Sequence, residues 1–359
     1  MWRDGSVASI VVRTVHRLPC PINLNYFWNF GSTVGIVLVV QVITGLILTI
    51  HYSAGIDTAF ESVSHIERDV NYRWLVRPVH ANRARFFLRL IYLHIRRGIF
   101  YKRFISFHAW IARVSLYVLT IATAFLRYVL PWGQISYWAA TVITNLFSVL
   151  PYGPSLVEWL WGGFSVRNPT LTRFYTFHFI LPFVILFLTL IHLVAIHDFT
   201  SGHPLGGFSA KKIDFWPYFR IKDMLGFMLI FLGLLAFVYF APQAIGDVEN
   251  YKEANPLVTP AHIKPEWYFL YAYTILRCIP NKAARVAGIR SAILVLAILP
   301  LVRKKTTTRL SYRLVFFCWA VNFVILTWLR RCPVKEVYVF LSQISSVIYF
   351  LLAGRLLAL

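Results

Sequence analysis

Four histidines stand inside strongly apolar stretches: His80 and His94 in one, His178 and His192 in another. In each pair the members are 14 positions apart. Fourteen residues of α-helix advance by about 1,400°, about 40° short of four turns, and rise about 21 Å. Each pair therefore shares a helix face, with one member towards each end of a membrane's thickness. A single apolar stretch separates the two, so they run in the same direction. His80 comes level with His178, and His94 with His192. Two facing imidazoles form an axial cage for haem iron, which imidazole suits and whose potential its axial ligands set. For a single buried histidine, packing glue or a proton relay is the alternative. Zinc fits poorly, because four tetrahedral ligands would have to converge, whereas the two levels are about 21 Å apart.

Other residues gather around this pattern. Arg77 lies one turn before His80 and Arg97 just beyond His94, and arginine suits pairing with the propionates of a haem. Gly31 and Gly45 repeat the 14-residue spacing on an earlier stretch, where missing side chains would let flat rings approach backbone. Small residues are also common in membrane helix contacts, which is the alternative. His197 is five residues beyond His192 and so points about 140° away from it. With Asp198, Lys222 and Asp223 nearby in sequence, it reads either as a group exchanging protons with a ligand or as ordinary interfacial snorkelling. Glu266 follows Pro265 among Trp267, Tyr268, Tyr271 and Tyr273. A carboxylate there suits proton acceptance; a solvated loop acid is the alternative.

These residues need long helices to hold them. Of 359 residues, 58% are apolar, 17% aromatic and 14% charged. Soluble domains run near 45–50% apolar and about 25% charged. A soluble single domain, a disordered chain and a collagen or coiled-coil repeat are all excluded, leaving a polytopic membrane protein. The net charge of +22 reads as basic loops on one side of a bilayer, with no nucleic-acid partner. Cys20, Cys278, Cys318 and Cys332 form no CxxC or CxxCH, so zinc-ribbon and covalent haem signatures are absent. Met1 to Asn29 carries no clear signal or transit peptide, consistent with synthesis inside the protein's own compartment.

A spanning helix needs about 20 mostly apolar residues. Eight candidates run near 30–51, 72–95, 107–127, 171–197, 224–242, 286–302, 312–329 and 336–353. The expected fold is all-α with eight transmembrane helices. The first four form a haem-binding four-helix bundle in a unit spanning 1–205, and the rest belong to a unit spanning 206–359. Two connections, 131–170 and 243–282, are long enough to be functional. Basic connections (Arg96, Arg97, Lys102, Arg103; Lys211, Lys212, Arg220, Lys222; Arg303, Lys304, Lys305, Arg309) alternate with more acidic ones. The positive-inside rule then places both termini on the inner side. Arg330 and Arg331 break the alternation.

The sequence resembles cytochrome b, the membrane core of the cytochrome bc1 complex (complex III), from about Asn23 to Leu352. The resemblance rests on RPVHAN at 77–82, ATAF at 122–125, YVLPWGQ at 128–134, ATVITNL at 140–146, WGGFSV at 161–166, LTRF at 171–174, HFILPF at 178–183, GD at 246–247 and HIKPEWYFL at 262–270. It implies two non-covalent b haems, His80 and His178 holding the low-potential iron, His94 and His192 the high-potential iron. It also implies two quinone sites. An outer ubiquinol-oxidation site would use Glu266, with Phe125, Tyr128, Pro265 and Tyr273 around it. An inner ubiquinone-reduction site would use His197 and Asp223, with Lys222 beside them. Gln41 and Lys222 join the cofactor-binding set. The resemblance further implies a Rieske iron–sulfur protein, cytochrome c1 and other complex III subunits as partners, with lipid, in a dimer of the complex. Its setting would be the mitochondrial inner membrane, both termini on the matrix side. PEWY and the haem helices share one chain here, unlike the chloroplast relative.

Arginine stands where the family usually has glycine at Arg73, Arg83, Arg96, Arg113, Arg127, Arg330 and Arg331. Arg113 and Arg127 are again 14 apart. Either the organelle reads some of these codons as glycine, or the bundle has repacked so that the arginines reach propionates or headgroups. Ala139 replaces a common glycine beside the outer quinone pocket, which should crowd methoxyacrylate-type inhibitors.

Overall fold

The computed structural model describes residues 17–104, 106–197, 211–261, 263, 265–301 and 310–359. Twelve α-helices dominate these described residues. They are α1 (Asn29–Thr49), α2 (Ala59–Arg68), α3 (Arg73–Phe100), α4 (Phe107–Val129), α5 (Gln134–Thr144), α6 (Gly153–Trp161), α7 (Asn168–His197), α8 (Tyr218–Phe240), α9 (Leu270–Cys278), α10 (Lys282–Ile298), α11 (Leu310–Leu329) and α12 (Glu336–Ala358). One two-stranded antiparallel sheet, β1 (Pro19–Pro21) on β2 (Lys212–Asp214), ties the chain before α1 to the chain before α8, with Cys20 opposite Ile213.

The eight expected spans correspond to α1, α3, α4, α7, α8, α10, α11 and α12. Seven are apolar enough to cross a membrane by length and composition. The exception is α3, 28 residues long but bearing seven arginines: Arg73, Arg77, Arg83, Arg85, Arg89, Arg96 and Arg97. The long connection at 131–170 forms the short helices α5 and α6, and the one at 243–282 ends in α9. Arg303, Lys304, Lys305, Arg309 and Asp198 lie outside the described residues.

Helix ends follow local chemistry. The Asn281 side chain accepts a hydrogen bond from the Ala284 N–H at 3.0 Å, capping α10. Gly162 closes α6 at φ +73°, a conformation that costs glycine little, and a Cβ there would sit 2.6 Å from the Pro169 side chain.

α4 packs along α7, α1 along α3, and α11 along α12. The largest core cluster joins Val37 and Leu38 of α1, Phe87 and Ile91 of α3, Trp110 and Tyr117 of α4, Ile185 of α7 and Phe316 of α11. Buried polar groups find partners across helices: Trp110 Nε1 donates to the Leu296 carbonyl at 2.7 Å, and Tyr312 Oη to the Ile99 carbonyl at 2.7 Å. In contrast, α7, α8, α11 and α12 present large apolar side chains outward, among them Phe187, Leu229, Val321 and Leu351. A surface of that kind is solvated by lipid chains.

Candidate functional site

The two levels of histidine open into two cavities among α1, α3, α4 and α7, with α2 adding to the wall of the first and α8 to that of the second. His80 and His178 line the first, of about 210 Å³, together with Gln41, Gly45, Arg77 and Arg127. His94 and His192 line the second, of about 760 Å³, together with Gly31, Arg97 and Arg113. The helical register inferred from the 14-residue spacing thus brings the partners together in the order expected.

At the second level the imidazole centroids are 6.5 Å apart with the ring planes at 82°. An ion about 2.0–2.1 Å from each Nε2, with each ring centre roughly 1.2 Å further back, would hold the centroids about 6.4 Å apart. The separation therefore suits one metal ion between two imidazoles. At the first level the ring orientation is fixed from behind. Thr44 Oγ1 lies 2.9 Å from His80 Nδ1, and the Thr123 carbonyl 3.1 Å from His178 Nδ1. A metal-ligating histidine commonly donates its other ring N–H in this way, leaving Nε2 for the metal. Gln41 Nε2 donates to the His80 carbonyl at 3.0 Å and lies 3.4 Å from His80 Nε2. Thr44 and Thr123 escaped the sequence reading; position 44, one residue before Gly45, was the available signal.

Both glycines are cradles. A Cβ on Gly45 would stand 3.2 Å from His80 Cε1, and one on Gly31 3.2 Å from His94 Cε1. The second cavity also carries donors without acceptors: Arg97 Nε, Arg113 Nε and Nη1, and Ser106 Oγ are buried and unpaired. Such groups are costly in isolation. A flat dianion bearing two carboxylates would supply acceptors for them, so the residues present fit haem on ligand spacing, on the glycine cradles and on charge.

Arg77 lines the first cavity but pairs with Glu67 of α2. Arg97 Nη2 lies 3.3 Å from His94 Nδ1, and its guanidinium carbon 5.1 Å over the Trp28 ring. Arg113 and Arg127, 14 residues apart, enter the second and first cavities respectively. Neither faces lipid.

Asp223 is buried and His197 lines the second cavity with it. Asn29 Nδ2 donates to the Lys222 carbonyl at 2.7 Å, at the base of this region. Lys222 itself turns away: its Nζ donates to the Leu24 carbonyl at 2.6 Å and sits 4.6 Å over Tyr26.

A third cavity, of about 270 Å³, is lined by Ala139, Pro265, Tyr273 and Arg330 among others. Glu266 does not line it. Instead its carboxylate is buried in an ion-pair cluster. Arg85 reaches both oxygens, Nε at 3.2 and 3.1 Å and Nη2 at 2.9 Å. Arg127 Nη2 adds a contact at 3.3 Å and another to Tyr268 Oη at 3.3 Å. The solvated-loop alternative for Glu266 is thereby excluded. Burial pushes the Tyr268 hydroxyl up to about 12, with the Glu266 carboxylate adding to the effect. Tyr128, half-buried, accepts a 2.6 Å hydrogen bond from Ser136 Oγ at its carbonyl and lines none of these three cavities.

Two family models match: cytochrome b/b6/petB over residues 15–200, and the C-terminal cytochrome b/b6/petD domain over residues 253–350. A solved structure titled "Hyperthermophilic respiratory Complex III" superposes with a TM-score of 0.91 at 29% identity, covering 98% of this chain and 96% of that one. With paired histidines at two levels of a helical bundle, and with the first match alone spanning more than half its length, the chain belongs to the cytochrome b/b6 family.

Proposed function

We propose that this chain is the redox subunit of a ubiquinol–cytochrome c reductase in the mitochondrial inner membrane. It would work with a Rieske iron–sulfur protein, cytochrome c1 and the other complex III subunits, in a dimeric complex. Ubiquinol is oxidised at an outer site, and one electron crosses to an inner ubiquinone-reduction site, coupled to proton translocation. Two non-covalent b haems would supply one-electron transfer between the two sites.

The observation that carries this reading is the 6.5 Å separation of His94 and His192 in a cationic cavity with unpaired donors. His80 and His178 would hold the first iron, steadied by Thr44 and the Thr123 carbonyl. His94 and His192 would hold the second. An iron-ligating His94 carries its proton on Nδ1, which then cannot accept from Arg97. The Arg97 guanidinium is left for a carboxylate, as the sequence suggested. Gly31 and Gly45 keep side-chain bulk away from the ligating rings.

At the inner site, Asp223 and His197 would deliver protons to bound quinone, both lining the cavity that also holds His94. At the outer site, Tyr273 and Pro265 form the wall. Glu266 would take up protons behind that wall, exchanging its bonds to Arg85 and Arg127 as it does so, with Tyr128 at the neighbouring helix end.

A haem-free transporter using buried histidines as a proton relay is the competing function. A reduced-minus-oxidised spectrum of the purified complex should show two b-type components that titrate at separate potentials. Absence of b-type absorbance would end the proposal.

A further inference from the structure

A second pair of imidazoles has the separation of the His94–His192 pair, and neither ring lines either histidine-bearing cavity. His51, just past the end of α1, and His65, on α2, have ring centroids 6.5 Å apart with planes at 50°. Asp69, one turn after His65, places Oδ2 3.0 Å from His65 Nδ1. A carboxylate accepts only, so His65 donates from Nδ1, and in the neutral ring the lone pair then stands on Nε2. Arg68 grips the same carboxylate with two hydrogen bonds of 2.8 and 2.9 Å. The His51 imidazole makes no hydrogen bond among the described residues, and the His65 side chain is 50% exposed. Two imidazoles at this spacing, one aligned by a carboxylate, offer what a metal site's ligands and outer partner require.

We infer that His51 and His65 bind a divalent transition ion of the Zn²⁺ or Cu²⁺ type, oriented by Asp69. Imidazole suits both ions. Among the described residues no group of three or more histidine, cysteine or carboxylate side chains is placed to hold a metal ion, so water would complete the coordination of this two-imidazole site. The ion joins the end of α1 to α2. Val63 and Ile66 of α2 line the His80 cavity, so occupancy pins one wall of that cavity.

The test is Cu²⁺ titration of the purified, haem-loaded complex, read by electron paramagnetic resonance. The expected signal is one Cu²⁺ with hyperfine splitting from two imidazole nitrogens. His65→Asn and His51→Asn should each remove that two-nitrogen signal, leaving the b-type optical spectrum in place. Asp69→Asn should weaken binding about 10–100-fold, the usual cost of losing an outer-shell partner. Zn²⁺ in large excess should diminish the copper signal, since Cu²⁺ binds such sites more tightly. Because the His65 side chain is half exposed, His65→Asn alone decides the matter should His51→Asn fail to assemble. A two-nitrogen copper signal of unchanged affinity in His65→Asn would overturn the assignment, as would its absence from the unsubstituted complex.

Discussion

The Glu266 cluster makes an unequal prediction for its two arginines. The carboxylate is 4% exposed, the Arg85 side chain 11% and Arg127 14%. Arg85 makes three contacts between 2.9 and 3.2 Å and embraces both oxygens. Arg127 makes one at 3.3 Å. Arg85→Gln leaves a buried carboxylate with a single long bond, a situation that costs about 3–5 kcal/mol. Arg127→Gln removes one charged hydrogen bond, worth about 1.5–3 kcal/mol. It also removes the buried, unpaired Arg127 Nε, which offsets part of that loss. Arg85→Gln should therefore destabilise clearly more than Arg127→Gln. The assay is thermal denaturation of the purified complex, followed by b-type absorbance, for each variant alone and combined with Glu266→Gln. The double-mutant cycle should give the larger coupling to Arg85–Glu266. Equal effects, or a larger one for Arg127, would refute the reasoning.

Three further outcomes follow from the same geometry. Gly45→Val places branched bulk where even a Cβ would be 3.2 Å from His80, an overpacking cost of about 1–3 kcal/mol; the low-potential b component should be diminished in the difference spectrum while the other persists. Ala139, buried beside Pro265 and Tyr273, should reduce affinity for methoxyacrylate-type inhibitors, and normal sensitivity in an activity titration would contradict this. A peptide mass covering Arg113 should carry a full guanidinium if the bundle has repacked around it; a glycine mass would mean that the codon is read otherwise.

What could be read in the sequence was what repeats along one helix. His80 and His94 share a face because of backbone geometry alone, and the same holds for His178 and His192. Matching their levels needed only the count of intervening spans. Contacts between distant segments carry no such period. Arg85 and Glu266 are 181 residues apart in sequence, and neither position signals the other. Lys222 stands beside Asp223 in the chain, yet its ammonium is satisfied by the Leu24 carbonyl, near the strand pairing that sets the start of α8. The nearness of His51 to His65 was equally hidden, since it depends on how the chain folds back between α1 and α2.

α3 shows why composition alone misjudges a span. Its seven arginines would make it a poor membrane segment in isolation, at roughly 2.5–3.5 kcal/mol for each arginine at the bilayer centre. In the bundle most of them reach neighbouring elements, although Arg83 Nε and Nη1 and Arg97 Nε stay buried without a hydrogen-bond partner. Arg73 donates to the Ile47 carbonyl of α1, Arg77 pairs with Glu67 of α2, and Arg85 with Glu266 before α9. Arg83 lies over Phe231 of α8, Arg89 over Trp267 and Arg96 over Phe316 of α11. Arg97 lies over Trp28 and faces the second cavity. Desolvation of α3 is thus partly offset by groups of α1, α2, α8 and α11 and of the segments before α1 and α9, so its place across the membrane depends on the assembled bundle. The same dependence explains why the histidines are held so closely: the helix that carries His80 and His94 is fixed on several sides by charge as well as by packing.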